Sequence, residues 1–97
     1  MGMKNIQKLM KQAQAMQEKL EGEMGELRIE TSAGGGVVNI IMDGSKQLLS
    51  IHIDPEAVDP NDVEMLQDLV LTAVNDGIRK VDDTLSSRLG GMVPGLS

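Results

Sequence analysis

The chain has 97 residues, a formal net charge of −6, and no cysteine, phenylalanine, tyrosine or tryptophan. This composition excludes disulfides, thiolate metal sites and thiol nucleophiles, and it excludes the stacking of bases on aromatic rings that many single-strand readers use. The length limits the chain to one domain with a modest core, which favours assembly into an oligomer.

The first predicted element is a helix from about residue 3 to residue 24. Apolar residues recur along it every three or four positions, which is the spacing of a helix that packs on another helix. Glutamine, lysine, methionine and alanine favour helix formation, so local propensity agrees with this pattern. We predict that these apolar residues contribute to a dimer interface: Ile6, Leu9, Ala13, Met16 and Leu20.

The opposite face of this helix has a distinctive charge. The first seventeen residues contain three lysines and no acid, although the whole chain is acidic. Lys4, Lys8 and Lys11 follow i, i+4, i+7 spacing and therefore project from one helix face, and we call them the lysine stripe. Such a row is more often only a solvated face. The absence of acids from residues 1–17 nevertheless favours a polyanionic partner, such as a phosphate backbone.

Three short strands are predicted between about residues 26 and 53. Apolar and polar side chains alternate over residues 27–31, and β-branched or apolar runs follow at 37–42 and 48–53. The triple glycine at 34–36 and the dipeptide Asp43-Gly44 predict the turns between them, the second because glycine tolerates positive φ. The strands then form an antiparallel meander with one apolar face that needs a cover.

A second helix is predicted from about residue 60 to residue 89 and supplies this cover. Asp59 is the expected N-cap, and Gly90-Gly91 is expected to end the helix, leaving residues 90–97 as a flexible tail. A helix of about 30 residues measures about 45 Å, whereas three strands span only about 10 Å. The surplus apolar stripe, to which Val81 and Leu85 belong, therefore predicts a further interface, which a homodimer would bury.

A second basic group lies on the distal half of this helix. It is a weaker candidate because Asp76, Asp82 and Asp83 offer partners at i, i+3 and i+4 spacing. Glutamines on the first helix can in principle reach adenine edges, but glutamine is also a common helix former, so we expect little sequence specificity. The candidate DNA-binding residues are Lys4, Gln7, Lys8, Lys11, Gln12, Lys19, Arg79, Lys80 and Arg88.

Other chemical signals are weak. The triple glycine lacks the Gly-Lys-Ser/Thr of a phosphate loop, and His52 has no second histidine or cysteine with which to bind a metal. Turn formation and capping explain the acids between Asp54 and Asp62. We therefore predict no enzyme, no cofactor, no metal and no small-molecule substrate. Because no stretch approaches the roughly 20 apolar residues of a membrane span, we expect a cytoplasmic protein that does not bind membranes.

Five segments provide a more specific signal: residues 10–19 (MKQAQAMQEK), 33–38 (AGGGVV), 53–55 (IDP), 64–69 (EMLQDL) and 73–76 (AVND). In this colinear order they resemble the YbaB/EbfC family of small bacterial nucleoid-associated proteins over nearly the whole chain. The resemblance implies a single domain over residues 1–97, an α+β protomer of order α-β-β-β-α, and a homodimer whose helices project like the arms of tweezers. It also implies binding to double-stranded DNA in the nucleoid, where the protein would organise DNA or modulate transcription.

An alternative function comes from the acidic second half of the chain. Residues 54–83 contain nine acids and two basic residues. This segment could form a docking face for a basic protein partner, with the first helix serving only dimerisation. A DNA-binding homodimer and a protein-interaction module therefore both remain open from the residues alone.

Overall fold

A computed structural model describes the backbone of residues 2–92 and the side chains of residues 4–88. Its elements in chain order are α1 (Gly2–Glu26), β1 (Ile29–Ala33), β2 (Val38–Met42), β3 (Leu48–Ile53), a single 3-10 turn (Pro55–Ala57) and α2 (Val63–Met92). The predicted α+β class and the order α-β-β-β-α are confirmed. The last five residues of the predicted tail, 93–97, lie outside the described residues.

The three strands form one antiparallel sheet in the order β1-β2-β3. Ile29 pairs with Met42 at one end of the β1–β2 ladder, and Val38 pairs with Ile53 on the other side of β2. The glycines at 34, 35 and 36 have φ values of 65°, 72° and 99°, which side chains rarely tolerate. The triple glycine is therefore a turn between strands, as the sequence predicts.

The helix α2 covers only part of the sheet. It packs against β1 and β2, and it approaches β2 so closely at Gly77 that an added Cβ atom would lie 2.9 Å from the Cδ1 atom of Ile40. By contrast, β3 is exposed from Leu48 to His52. The buried core consists of Ile29, Ala33, Val38, Ile40, Met42, Ala73 and Val81.

Both predicted ends of α2 were wrong. The helix begins at Val63 because the Asp62 carboxylate caps it, accepting a hydrogen bond from the Met65 amide at 3.3 Å. The Asp59 carboxylate instead accepts from the Asn61 amide at 2.9 Å and stabilises the preceding turn. At the other end the helix continues through residues 90 and 91 to Met92, because a glycine costs a helix only about 1 kcal/mol and does not interrupt its hydrogen bonds.

The helix α1 extends away from the sheet. Every residue from 4 to 23 is exposed, and the longest dimension of the molecule is 71 Å, against 26 and 17 Å in the other two directions. In residues 2–92, no helix has both the length and the apolar character needed to cross a membrane. The first helix is thus an arm whose two faces are both open to contact with other molecules.

Candidate nucleic-acid interface

The lysine stripe lies on a fully exposed part of α1. At about 1.5 Å per residue, the stripe from Lys4 to Lys11 covers about 10 Å, and a duplex carries about six phosphate charges over that length. The ion pairs among residues 4–88 join Lys46 to Asp82 and Arg79 to Asp76, and neither involves α1. All three positive charges of the stripe therefore remain available to an external anion.

Other candidates on α1 surround the stripe. At about 100° per residue, Lys19 falls about 60° from Lys4 around the helix axis and about two turns beyond Lys11. Gln7 and Gln12 lie on opposite sides of the stripe, and both are exposed. The arm thus presents a basic face with amide groups along its edges.

The opposite face of α1 is apolar and equally exposed. Ile6, Leu9 and Met16 are 56%, 63% and 61% exposed, and Ala13 and Leu20 are exposed on the same side. We call Ile6, Leu9, Ala13, Met16 and Leu20 the apolar seam of α1. Helices gain most of their stability in proteins from packing such a face, so a 25-residue arm without a partner would be marginal.

A second apolar surface lies where β3 meets α2. Leu49, Ile51 and Leu71 are 42%, 46% and 59% exposed because α2 is displaced toward β1 and β2. Beside them is a groove of about 570 Å³. Its lining residues are Ile53, Glu64, Leu66, Gln67, Asp68, Val70 and Leu71. Large apolar side chains exposed near a groove are candidates for an interaction surface.

The two predicted interface residues on α2 differ in position. Leu85 is half-buried at the margin of the core. Val81 is only 1% exposed and packs within the core of its own protomer, which leaves little of its side chain for a dimer interface, and its place there stays a prediction. Both residues belong to one apolar stripe of α2, but Val81 faces the sheet and Leu85 lies partly in solvent. The sequence pattern does not distinguish the buried position from the half-buried one.

The secondary basic group is largely engaged within the protomer. Arg79 forms the predicted i, i+3 ion pair with Asp76. Lys80 donates through its Nζ atom to the backbone carbonyl of Glu30 at 3.2 Å. Arg88 is exposed and forms no ion pair among the described side chains. These contacts leave Arg88 as the most available member of this group.

One ion pair was not predicted. The Lys46 Nζ atom lies 2.7 Å from an Asp82 carboxylate oxygen, linking the turn after β2 to the middle of α2. The i, i+3 and i+4 spacing suggested that Asp82 would pair with a basic residue on α2. It pairs instead with Lys46, which lies in the turn after β2. The two residues are far apart in the sequence, and no local pattern signals the contact.

Several acids of the second half have structural roles. The Asp54 carboxylate accepts from the Glu56 amide at 3.0 Å, and Asp59 and Asp62 accept from backbone amides as described above. Among the side chains that the structure describes, no group of three or more histidines and acids could hold a metal ion. Turn formation and capping thus account for three of the nine acids in residues 54–83. Asp76 and Asp82 form ion pairs within the protomer, and together these contacts weaken the case for an acidic docking face.

Comparisons with known proteins find similar sequences over nearly the whole chain. The model of a family described as the YbaB/EbfC DNA-binding family matches residues 2–96. A nucleoid-associated protein from Koribacter versatilis is 51% identical over 96 residues, covering 99% of this chain and 95% of the relative. A nucleoid-associated protein from Desulforamulus reducens is 48% identical over 96 residues, with 96% and 91% covered.

A solved structure has the same fold. An uncharacterised protein from Helicobacter pylori superposes with a TM-score of 0.79 at 22% sequence identity, covering 97% of this chain and 99% of that one. At that level of identity the likeness concerns the fold alone. It shows that a distant sequence adopts the same overall fold.

Proposed function

This chain is a member of the YbaB/EbfC DNA-binding family, and we propose that it binds double-stranded DNA as a homodimer, with little sequence specificity, in the bacterial nucleoid. There it would organise DNA or modulate access to promoters. The observation that carries the proposal is the exposed α1 arm, which presents the lysine stripe on one face and the apolar seam on the opposite face. One face suits a phosphate backbone, and the other suits a second protein surface.

Dimerisation follows from the amount of exposed apolar surface. Full burial of a large aliphatic side chain contributes about 1.5–3 kcal/mol, so covering a seam whose members are about half exposed contributes several kcal/mol per arm. The exposed face of β3 and the adjacent Leu71 provide more such surface. A second copy of the chain would cover both regions and would stabilise α1, which has little packing within its protomer.

The dimer would double the positive charge offered to DNA. Two copies of the stripe present six lysines, and a protein that neutralises six phosphates shows a slope of log K against log salt of about −5. The acids of α2 do not prevent this, because charges more than about 8–10 Å apart are largely screened at physiological salt. They do reduce binding elsewhere on the surface, so the footprint on the protein is confined to the arms.

Low specificity follows from the kinds of group on the arm. Lysine contacts with phosphates carry no base information, whereas sequence is read by contacts with base edges. Amide side chains on α1, among them Gln7 and Gln12, can make such contacts. Because they lie at the edges of the basic face and not at its centre, we expect them to contribute less than the lysines do.

A triple substitution tests the proposal. Lys4, Lys8 and Lys11 changed together to Gln should remove most DNA binding in a gel-shift titration, while light scattering still shows a dimer. A control changes Arg79 and Lys80 to Gln, which removes two positive charges per protomer from residues that already have partners within the protomer and leaves residues 43–47 unchanged. Equal loss of binding in both variants, or full binding by the first, would contradict the proposal.

A further inference from the structure

A small joint connects the α1 arm to the sheet. The carbonyl oxygen at the C-terminal end of α1, that of Met24, accepts hydrogen bonds from the Leu27 amide at 3.2 Å and from the Gly44 amide at 2.8 Å. The last carbonyls of a helix have no partner within the helix and need an external donor. Here one of the donors comes from the turn between β2 and β3, which lies far from α1 in the sequence.

Gly44 fits this joint because it has no side chain. An added Cβ atom would lie 2.7 Å from the Met24 carbonyl oxygen and 3.0 Å from the Met24 Cα atom. Both neighbours are backbone atoms of α1, which cannot rotate away as a side chain can. The positive φ of this turn is instead at Lys46, where φ is 65°. The sequence-based reason for a glycine in this turn, its tolerance of positive φ, was therefore wrong. The position requires glycine because the backbone of α1 at Met24 lies too close for a side chain.

The turn that carries Gly44 is held firmly. Asp43 is 6% exposed, and its carboxylate accepts from the Ser45 amide at 2.8 Å and from the Gln47 amide at 2.9 Å. The Asp43 amide also donates to the Gln47 carbonyl at 3.0 Å. The ion pair between Lys46 and Asp82 extends the same turn to α2. One turn thus contacts the base of α1 and the middle of α2.

We propose that Gly44 is a positioning residue for the DNA site: the turn over residues 43–47 fixes the direction of α1 and hence the distance between the two lysine stripes of the dimer. This inference rests on the proposed DNA-binding function. The arm amplifies small changes, because Lys4 lies about 30 Å from Met24 along the helix and a tilt of about 10° at the joint displaces it by about 5 Å. Such a displacement is comparable to the width of the minor groove, about 6 Å.

The absence of cysteine from the chain makes the inference directly measurable. A single Gln14→Cys substitution places one spin label on each arm, at an exposed position outside the candidate DNA-binding set. Electron paramagnetic resonance then reports the distance between the arms in the full-length dimer without DNA. Gly44→Ala is compared with Gly22→Ala, a matched control in α1 where an added Cβ atom meets nothing within 4 Å.

We expect Gly44→Ala to change the mean distance between labels by several ångströms and to weaken DNA binding at least fivefold. Gly22→Ala should change neither quantity. If Gly44→Ala does not fold, Asp43→Ala replaces it: this substitution removes the acceptor for two turn amides and should broaden the distance distribution and weaken binding without steric conflict. Circular dichroism confirms that each variant compared is folded.

Three outcomes would overturn the inference: unchanged distances in the folded joint variant, changed distances with unchanged DNA affinity, or an affinity loss without any change in distance. The wild-type chain separates this failure from failure of the proposed function. A wild-type chain that is monomeric or does not bind DNA overturns the proposed function, and the inference with it. A wild-type dimer that binds DNA leaves the joint as the only element under test.

Discussion

The clearest quantitative prediction concerns Lys8, the middle member of the lysine stripe. Lys8→Gln removes one positive charge from each arm and retains a long side chain with similar helix propensity. Each phosphate contact contributes about 0.9 to the salt slope, so a homodimer that loses two contacts should change from a slope of about −5 to about −3.6. Between 50 and 200 mM salt, this reduces the loss of affinity from about a thousandfold to about 150-fold.

The control for this measurement is Arg79→Gln. Arg79 carries the same charge as Lys8 but is paired with Asp76 in the protomer, so its removal should change the slope by less than about 0.5. Fluorescence anisotropy with a labelled duplex over a salt series measures both variants. Equal slopes for wild type and Lys8→Gln, or a larger change for Arg79→Gln, would refute the assignment of phosphate contacts to α1.

Three further substitutions test the fold and the dimer. Ile40→Ala, at a residue that is 0% exposed, should reduce the free energy of unfolding by about 2–5 kcal/mol in a denaturant titration, and a loss below 1 kcal/mol would contradict its central position in the core. In the same titration, Asp62→Ala should reduce the free energy of unfolding by about 1 kcal/mol because the α2 cap is lost, and Asp59→Ala should reduce it clearly less. A larger loss for Asp59→Ala would contradict the observed start of α2. Leu71→Lys should shift the dimer toward monomer in light scattering, and an unchanged dimer would show that the interface lies elsewhere.

The sequence predicts the elements well where the hydrophobic period is long and regular. The seam of α1 repeats every three or four residues over most of the helix, and no other structure places those side chains on one face. The strands are short but are separated by strong turn signals, including three consecutive glycines. These local constraints are sufficient for the order α-β-β-β-α, and the structure confirms it.

The N-terminus of α2 was harder to predict because two aspartates compete for the same role. Asp59 precedes a proline, which favours a helix start, and Asp62 precedes the first apolar residue of the stripe. Each accepts a hydrogen bond from a downstream amide, but only the bond from Asp62 lies in the first turn of α2. Both signals are local and of the same kind, and a single sequence does not rank them.

In the candidate site, too, some features have a local signal in the sequence and others do not. The exposed lysine stripe can be read from helical spacing alone, since all its members lie on one element. The pairing of Lys46 with Asp82 and the contact of Gly44 with Met24 join residues that are distant in the sequence. The burial of Val81 depends on where α2 crosses the sheet. Such long-range placement follows from the assembled fold and has no local signature.

Chemical footprinting of the lysines tests the central claim most directly. The full-length protein is treated with an amine-acetylating reagent in the presence and absence of duplex DNA, and the modification of each lysine is measured by mass spectrometry. The account predicts that DNA protects Lys4, Lys8 and Lys11, while the modification of Lys46 is unchanged. Protection of Lys46 with full modification of the α1 lysines would contradict it.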